Sequence, residues 1–85
     1  MSNQTAEKKA IRVWWTITVT GYGSFAYYGT ADETRDRMRA KASWEGGRGS
    51  MRTATADEIE QEKSFLRDQK SRGVTLDENE LEALQ

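Results

Sequence analysis

With the exception of Trp14, apolar and polar residues alternate along the segment from Ile11 to Thr20. Every second residue from Ile11 to Val19 is apolar, and these residues would share one face of a strand because successive side chains point to opposite faces. Gly21-Tyr22-Gly23 follows and favours a tight reversal, after which the aromatic segment 24–28 can return as an antiparallel partner. The pattern predicts a β-hairpin.

A capping-box sequence stands at three later points, as Thr30-Ala-Asp-Glu33, Thr55-Ala-Asp-Glu58 and Thr75-Leu-Asp-Glu78. In such a box the threonine hydroxyl accepts from the third helical amide, and the glutamate reaches back to the threonine amide. We therefore expect a helix after each threonine: one to about Trp44, one to about Arg72, and a short acidic one. The residues after each box are not repeated, so the recurrence is interpreted as shared capping chemistry and not as duplication.

Glycines indicate where the first two helices end. Gly46 and Gly73 stand at the expected ends, because glycine tolerates the left-handed backbone of a helix C-cap. The positions expected to face the rest of the fold are Ala31, Thr34, Met38 and Ala42 on the first helix, and Ile59, Phe65 and Leu66 on the second.

Segment 50–55 is short and partly β-branched, and we expect a third strand there. The order is then β-β-α-β-α-α. The simplest arrangement is an α+β fold, with a three-stranded antiparallel sheet in the order 2-1-3, the first helix packed on one face, and C-terminal helices. A chain of 85 residues has room for one domain. We expect a disordered tail over residues 1–10, the α+β domain over 11–74 and a short acidic helix over 75–85.

Composition removes most kinds of chemistry. The chain has no cysteine and no histidine, which excludes disulfides, thiolate and imidazole metal ligands, and Ser-His or Cys-His nucleophilic pairs. Carboxylate pairs and an all-carboxylate magnesium site are not excluded by residue type. Helix caps and solvated faces explain the acidic residues more simply, so we expect no enzyme and no cofactor. No apolar run approaches the ~20 residues that span a bilayer, which indicates a cytoplasmic protein without a membrane partner.

The net charge of −1 hides an uneven distribution. Residues 35–52 carry six basic and two acidic side chains, whereas residues 53–85 carry four basic and nine acidic ones. A basic middle and an acidic end favour electrostatic complementarity to a partner, or between the two parts of the chain.

Three aromatic residues of the hairpin are candidates for a binding surface. Trp14 is adjacent to Trp15, so the two must point to opposite faces of the sheet, and one of them needs a second cover. Either the later helices cover Trp14, or Trp14 forms with Tyr28 and Tyr22 an exposed platform for a protein hot spot or a nucleic-acid base.

Arginines are the second group of candidates. Arg35 and Arg39 lie four residues apart and share one face of the first helix, while Arg37 and Lys41 share another. These side chains are either a solvated surface paired with neighbouring carboxylates, or contacts to phosphate or acidic protein. Two further arginines that such a contact would use are Arg48 and Arg52.

The glycine-rich turn from Gly46 to Ser50 is the third candidate, and Trp44 stands two residues before it. Successive amides in such a turn can hold an anion, with Arg48, Ser50 and Arg52 as further donors. The alternative is a plain helix C-cap. A P-loop is excluded, because the Gly-Lys-Ser/Thr ending is missing and the turn follows a helix.

Two strings carry a resemblance to a known group of proteins. They are Val13-Trp-Trp-Thr-Ile-Thr-Val-Thr-Gly-Tyr-Gly-Ser-Phe25, followed by Gly29-Thr30, and Arg39-Ala-Lys-Ala-Ser-Trp-Glu-Gly-Gly-Arg-Gly49. Over residues 13–58 the chain resembles small uncharacterised accessory proteins of tailed bacteriophages. That resemblance implies action in the host cytoplasm. Phage proteins of this kind often occlude a host protein, including CRISPR-Cas complexes and other defence machinery.

Three hypotheses for function follow. The first is a phage-type inhibitor or modulator, such as an anti-CRISPR protein, that docks on a host protein or ribonucleoprotein through its aromatic and arginine residues. The second is a direct nucleic-acid-binding protein. The third is a nucleotide- or anion-binding module at the glycine-rich turn. A homodimer is one further way to cover the second face of so small a sheet.

Overall fold

The computed structural model describes residues 11–85, and the predicted disordered tail over residues 1–10 lies outside the described part. The chain forms an α+β fold whose three strands make one antiparallel sheet in the order β2-β1-β3. The predicted fold class is therefore confirmed. The elements in chain order are β1 (Val13–Val19), β2 (Gly23–Gly29), α1 (Ala31–Glu45), β3 (Gly49–Thr53), α2 (Ala56–Ser71) and α3 (Glu78–Ala83).

The central strand β1 decides what each face of the sheet carries. Ile17 pairs with Phe25 of β2 and with Met51 of β3, and directly opposed residues of antiparallel strands share a face. Helix α1 packs on this face, which is named the α1 face. The next residue, Thr16, points to the other face, where its hydroxyl donates to Glu58 of α2 at 2.9 Å. That side is named the α2 face.

Helices α1 and α2 begin at the predicted capping boxes. The Thr30 side chain accepts from the Glu33 amide at 3.1 Å, and the Glu33 carboxylate accepts from the Thr30 amide at 2.9 Å. Thr55 and Glu58 repeat the same two bonds at 3.2 and 2.8 Å. The identical tetrapeptides therefore fold identically, because each satisfies amides that a helix start leaves without partners.

The predicted helix ends at Gly46 and Gly73 are confirmed. Both glycines have left-handed backbones, with φ of 70° and 90°. The amide after Gly46 donates to the Ala42 carbonyl at 3.0 Å, and the Val74 amide donates to the Gln69 carbonyl at 3.0 Å. These are the longer bonds of the Schellman motif, which closes the last turn of each helix.

Helix α1 lies across all three strands of the sheet. Thr34 is fully buried, and its hydroxyl donates to the Thr30 carbonyl at 2.7 Å, which satisfies the polar group within the helix. Met38 packs so closely on Gly49 that a side chain there would collide with it. Ala31 is exposed, so the row of α1 residues that packs on the sheet begins one turn later than expected, at Thr34.

Helix α2 and α3 cover the α2 face. Leu66 is 3% exposed, but its neighbour Phe65 is 54% exposed. The expectation that Phe65 faces the fold is wrong, because adjacent helical residues point about 100° apart and only one of the two can face the sheet. Leu76 and Ala83, from the C-terminal segment, are also buried.

Helix α3 begins two residues later than predicted. The Asp77 side chain accepts from the Glu80 amide at 2.8 Å, and the Glu80 carboxylate accepts from the Asp77 amide at 3.0 Å. Thr75 is therefore not the cap. Two capping boxes overlap in this stretch, and the later one leaves Leu76 ahead of the helix, where it is buried. Between residues 11 and 85, no helix is long and apolar enough to cross a membrane.

Candidate partner-binding surface

An open cavity of about 570 Å³ runs along strand β2. Its lining includes Phe25 and Tyr27 from the α1 face and Ala26 and Tyr28 from the α2 face. A cavity that touches both faces of one strand must pass around that strand's outer edge, since its side chains alternate between the faces. Strand β2 is at the edge of the sheet. The volume is within the usual range for ligand sites.

On the α1 face, cationic side chains of α1 lie over aromatic rings. Lys41 Nζ is 3.8 Å from the centroid of the Tyr22 ring, and Arg37 Cζ is 5.7 Å from the centroid of the Tyr27 ring. Both distances are in the range of cation–π attraction. Trp44, one turn beyond Lys41, is 84% exposed, and Tyr22 is 52% exposed. These five residues all line the cavity, and together they are named the aromatic-cationic ridge.

On the α2 face, the cavity is lined by carboxylates. They are Glu62 of α2, Asp77 at the cap of α3 and Glu80 in its first turn. Burial raises the pKa of Glu62, and the nearby Glu80 raises it further. These three residues are named the acidic wall. The cations Arg37 and Lys41 thus line one side of the cavity and the acidic wall lines the other, and Lys41 also forms an ion pair with Glu45 at 3.5 Å.

The predicted aromatic platform is divided between the two faces. Trp14 and Tyr28 are directly paired on the α2 face, with ring centroids 5.5 Å apart, and both are partly buried. The Tyr28 hydroxyl donates to Glu82 at 3.3 Å, and burial, followed by Glu82, raises its pKa. Tyr22 instead packs edge-on against Phe25 at 5.9 Å. Trp14 and Tyr28 form one pair, and Tyr22 belongs to the ridge.

Hydrogen-bond alternation shows which backbone groups of β2 face outward. The Ala54 amide donates to the Trp14 carbonyl, so Trp14 directs its backbone groups toward β3. The next residue, Trp15, therefore directs its groups toward β2, where it pairs with Tyr27. Tyr27 therefore directs its amide and carbonyl toward Trp15. Its neighbour Ala26 directs its amide and carbonyl the opposite way, out from the sheet edge.

The same alternation makes Ser24 and Tyr28 outward-facing. The Tyr28 carbonyl accepts from Asn79 Nδ2 of α3 at 3.3 Å, so α3 closes that end of the edge. Among residues 11–85, the hydrogen bonds of the turns, caps and side chains include none to the outward backbone groups of Ser24 or Ala26. The segment from Ser24 to Ala26 is named the open edge.

Arg52, a predicted binding residue, is held in an ion pair beside β3. Its two terminal nitrogens donate to the two carboxylate oxygens of Glu58 at 2.9 and 2.7 Å. Glu58 also accepts from the Thr55 amide and the Thr16 hydroxyl. The Arg52 bonds, followed by the Thr55 amide and Thr16, hold the pKa of Glu58 well below its usual range. Arg52 thus completes a closed polar cluster.

The other predicted arginines differ in how far they are engaged. Arg35 donates to Asp32 at 2.9 Å. Arg39 and Arg48 are exposed and take no part in the ion pairs found within residues 11–85. Two of the four arginines, Arg35 and Arg52, are therefore paired within the chain, and the structure does not gather the four into one cationic patch around a common ligand.

The predicted anion turn uses its first amides to end α1. The Gly46 and Gly47 amides donate to the Ser43 and Ala42 carbonyls at 3.3 and 3.0 Å. The backbone of Gly47 also approaches the Thr20 carbonyl so closely that a side chain would not fit. These contacts explain why glycine stands at these positions. Because the Gly46 and Gly47 amides are used to end α1, the turn lacks two of the donors that an anion would need.

A second polar cluster fixes the start of α1 against α3. Arg12 donates to Glu33 at two distances of 3.3 Å and to Glu82 at 3.4 Å. Asn79 Nδ2 also lies 3.4 Å from Glu33 Oε1. The Thr30 amide lowers the pKa of Glu33, and Arg12 lowers it further. This cluster positions Asn79 over the end of β2.

Sequence reasoning identified only part of the ridge. Tyr22 and Trp44 were predicted binding residues, and Arg37 and Lys41 were seen to share a helix face. The signal that was missed is the alternation of Phe25 and Tyr27 in β2, which places aromatic rings under those cations. Within residues 11–85, no group of three or more acidic side chains is placed to hold a metal ion. Comparison with protein-family models, curated protein sequences and solved structures gives no match.

Proposed function

We propose that this protein is a small non-catalytic binding protein of the phage accessory type. It acts by occupying the surface of a host protein or ribonucleoprotein, such as a CRISPR-Cas or other defence complex. The aromatic-cationic ridge carries the proposal. Trp, Tyr and Arg are the residue types most enriched in interface hot spots, and here they line an open groove, with Trp44 84% exposed.

The charges around the groove favour a protein partner over nucleic acid. Nucleic-acid affinity comes mainly from cations that neutralise successive phosphates. Here Arg35 and Arg52 are already paired with carboxylates, and the acidic wall on the other side of the cavity would repel a phosphate backbone.

Capture from a nuclease-treated bacterial lysate tests this proposal. The tagged wild-type protein is compared with Trp44→Ala, and Leu81→Ala is the matched control because Leu81 is 41% exposed and does not line the cavity. We expect the wild type and the control to retain the same host protein and Trp44→Ala to lose it. Equal retention by Trp44→Ala would contradict the proposal. Binding that disappears with nuclease would favour the nucleic-acid hypothesis.

A further inference from the structure

The open edge and the two charged sides of the cavity belong to one continuous groove. Ser24 and Ala26 present outward amides and carbonyls, which are the groups that an added strand would use. Above them on one face is the aromatic-cationic ridge, and below them on the other is the acidic wall. An extended chain lying along β2 would meet both, because its side chains alternate between the two faces.

We propose that the open edge of β2 binds an extended segment of a partner protein as an added strand, and that this segment carries acidic side chains at alternate positions with basic or neutral ones between them. The acidic positions would lie beside Arg37 and Lys41, and the positions between them beside Glu62 and Glu80. This inference rests on the proposed function, since it names the part of the partner that the groove receives.

Charge complementarity favours this occupant over a second copy of the chain. Two copies joined antiparallel through β2 in one continuous sheet would place like faces side by side. Basic residues of the two copies would then approach each other, and so would Glu62 and Glu80. Lys41 is partly neutralised by its ion pair with Glu45 at 3.5 Å, but Arg37, Glu62 and Glu80 take no part in the ion pairs found within residues 11–85. A partner strand with alternating charge meets attraction on both faces.

The edge strand β2 is also protected only in part against pairing with another strand. Natural edge strands are usually protected by charges, bulges or covering elements. Here the Asn79 side chain donates to the Tyr28 carbonyl. A partner strand can therefore pair only with the part of β2 nearer the hairpin turn. That part lies directly beside Tyr22 and Lys41 of the ridge.

Selection from a surface-displayed library of random octapeptides tests the inference with a defined probe. Tagged protein is used to enrich binders, and the enriched peptides are sequenced and measured by fluorescence anisotropy. We expect acidic residues at every second position. Ala26→Pro removes an outward amide without breaking a bond to β1, and it should weaken binding by about tenfold or more, because strand addition loses a backbone bond.

Thr53→Pro is the matched control, since Thr53 is an exposed residue whose amide faces outward on the other edge strand. It should change binding by less than about twofold if β3 is not used. Arg37→Glu gives a second test that does not depend on proline being tolerated. It should shift the enriched peptides from acidic toward basic residues at the alternate positions.

Several outcomes would overturn the inference. They are an absence of enriched peptides, enrichment without alternating charge, equal effects of Ala26→Pro and Thr53→Pro, and selection unchanged by Arg37→Glu. If Trp44→Ala abolishes capture of the host protein while Ala26→Pro does not, the proposed function stands and strand addition falls. If neither variant affects capture, the proposed function falls as well.

Discussion

Two glutamates on consecutive turns of α2 lie near opposite edges of the sheet and have very different surroundings. Glu58, beside β3, accepts from Arg52, the Thr55 amide and Thr16, and these bonds hold its pKa well below the usual range. Glu62, four residues later, lies partly buried in the cavity beside β2, where burial and the neighbouring Glu80 raise its pKa. Glu58 is paired with Arg52, whereas Glu62 takes part in none of the ion pairs found within residues 11–85.

The same contrast holds for the aromatic and backbone groups. Beside β3, the Thr53 carbonyl accepts from Arg52 at 3.1 Å, so the chain's own side chains cover part of that edge. Beside β2, Trp44 and Tyr22 are exposed, and the described part of the chain provides no hydrogen-bond partner for the outward backbone groups of the open edge. Exposed aromatic surface beside open backbone groups is typical of a region that contacts another molecule. The β3 side is closed by its own side chains, and the β2 side is the edge that we propose for binding.

The largest expected effect separates two neighbours on α2. Leu66→Ala should lower the free energy of unfolding by about 2–5 kcal/mol, because it leaves a hole under a buried side chain. Phe65→Ala should lower it by less than about 1 kcal/mol, because most of that ring is already in water. Urea unfolding of both variants measures the difference. Equal losses would show that the α2 face is packed differently.

A smaller effect distinguishes true from apparent helix caps. Thr55→Ala should cost about 1 kcal/mol, the usual loss for a threonine N-cap. Thr75→Ala should cost less than about 0.5 kcal/mol, since Asp77 and not Thr75 caps α3. Chemical denaturation measures both variants. A larger loss for Thr75→Ala than for Thr55→Ala would contradict the assignment of the third cap.

The caps also show how much of the fold can be predicted from sequence. The strand alternation and two of the three helix starts follow from local chemistry, so the elements and their order were predictable. At the third start, two capping boxes overlap, and burial of Leu76 goes with the later one. Likewise, local periodicity did not choose between Phe65 and Leu66, because that choice depends on how α2 crosses the sheet.

The candidate binding surface was less predictable because it depends on contacts between distant residues. Tyr22 and Trp44 could be named as candidates from their type alone. The ion pair between Arg52 and Glu58 and the placement of Lys41 over Tyr22 require the sheet register and the helix position. For the same reason, the separation of Tyr22 from Trp14 and Tyr28 became evident only in the folded chain.

The opposite pKa shifts of Glu62 and Glu58 predict opposite pH dependences of folding stability. The pKa of Glu62 is raised by folding, so the folded state loses stability as the pH rises through the range between the ordinary and the raised value. Glu62→Gln should therefore be more stable than the wild type at pH 7. The difference should vanish below the ordinary glutamate pKa of about 4.3. Thermal unfolding across this pH range measures the change.

Glu58→Gln is the matched control for that experiment. The pKa of Glu58 is lowered by folding, so its stabilisation is present above the ordinary pKa and is lost as the pH falls toward the lowered value. This variant should be less stable than the wild type at pH 7, and the gap should narrow in acid. If both substitutions changed the stability at pH 7 in the same direction, the contrast between the two edges would be contradicted.

The smallest expected effect on stability belongs to Trp44, the residue on which the test of the proposed function rests. Trp44→Ala should leave the free energy of unfolding within about 0.5 kcal/mol of the wild type, because the side chain is 84% exposed. Denaturant unfolding of the purified variant measures this. A loss comparable to that of Leu66→Ala would mean that Trp44 serves the fold and would undermine its assignment to a binding surface.

Amide hydrogen exchange tests the central claim, that β2 and not β3 is the binding edge, most directly. In the free protein, the outward amides of Ser24, Ala26 and Met51 should exchange quickly, while the inward amide of Tyr27 exchanges slowly. In the complex with a selected octapeptide, Ser24 and Ala26 should become protected and Met51 should be unchanged. Protection of Met51, or a complex in which Ser24 and Ala26 still exchange quickly, would contradict the account.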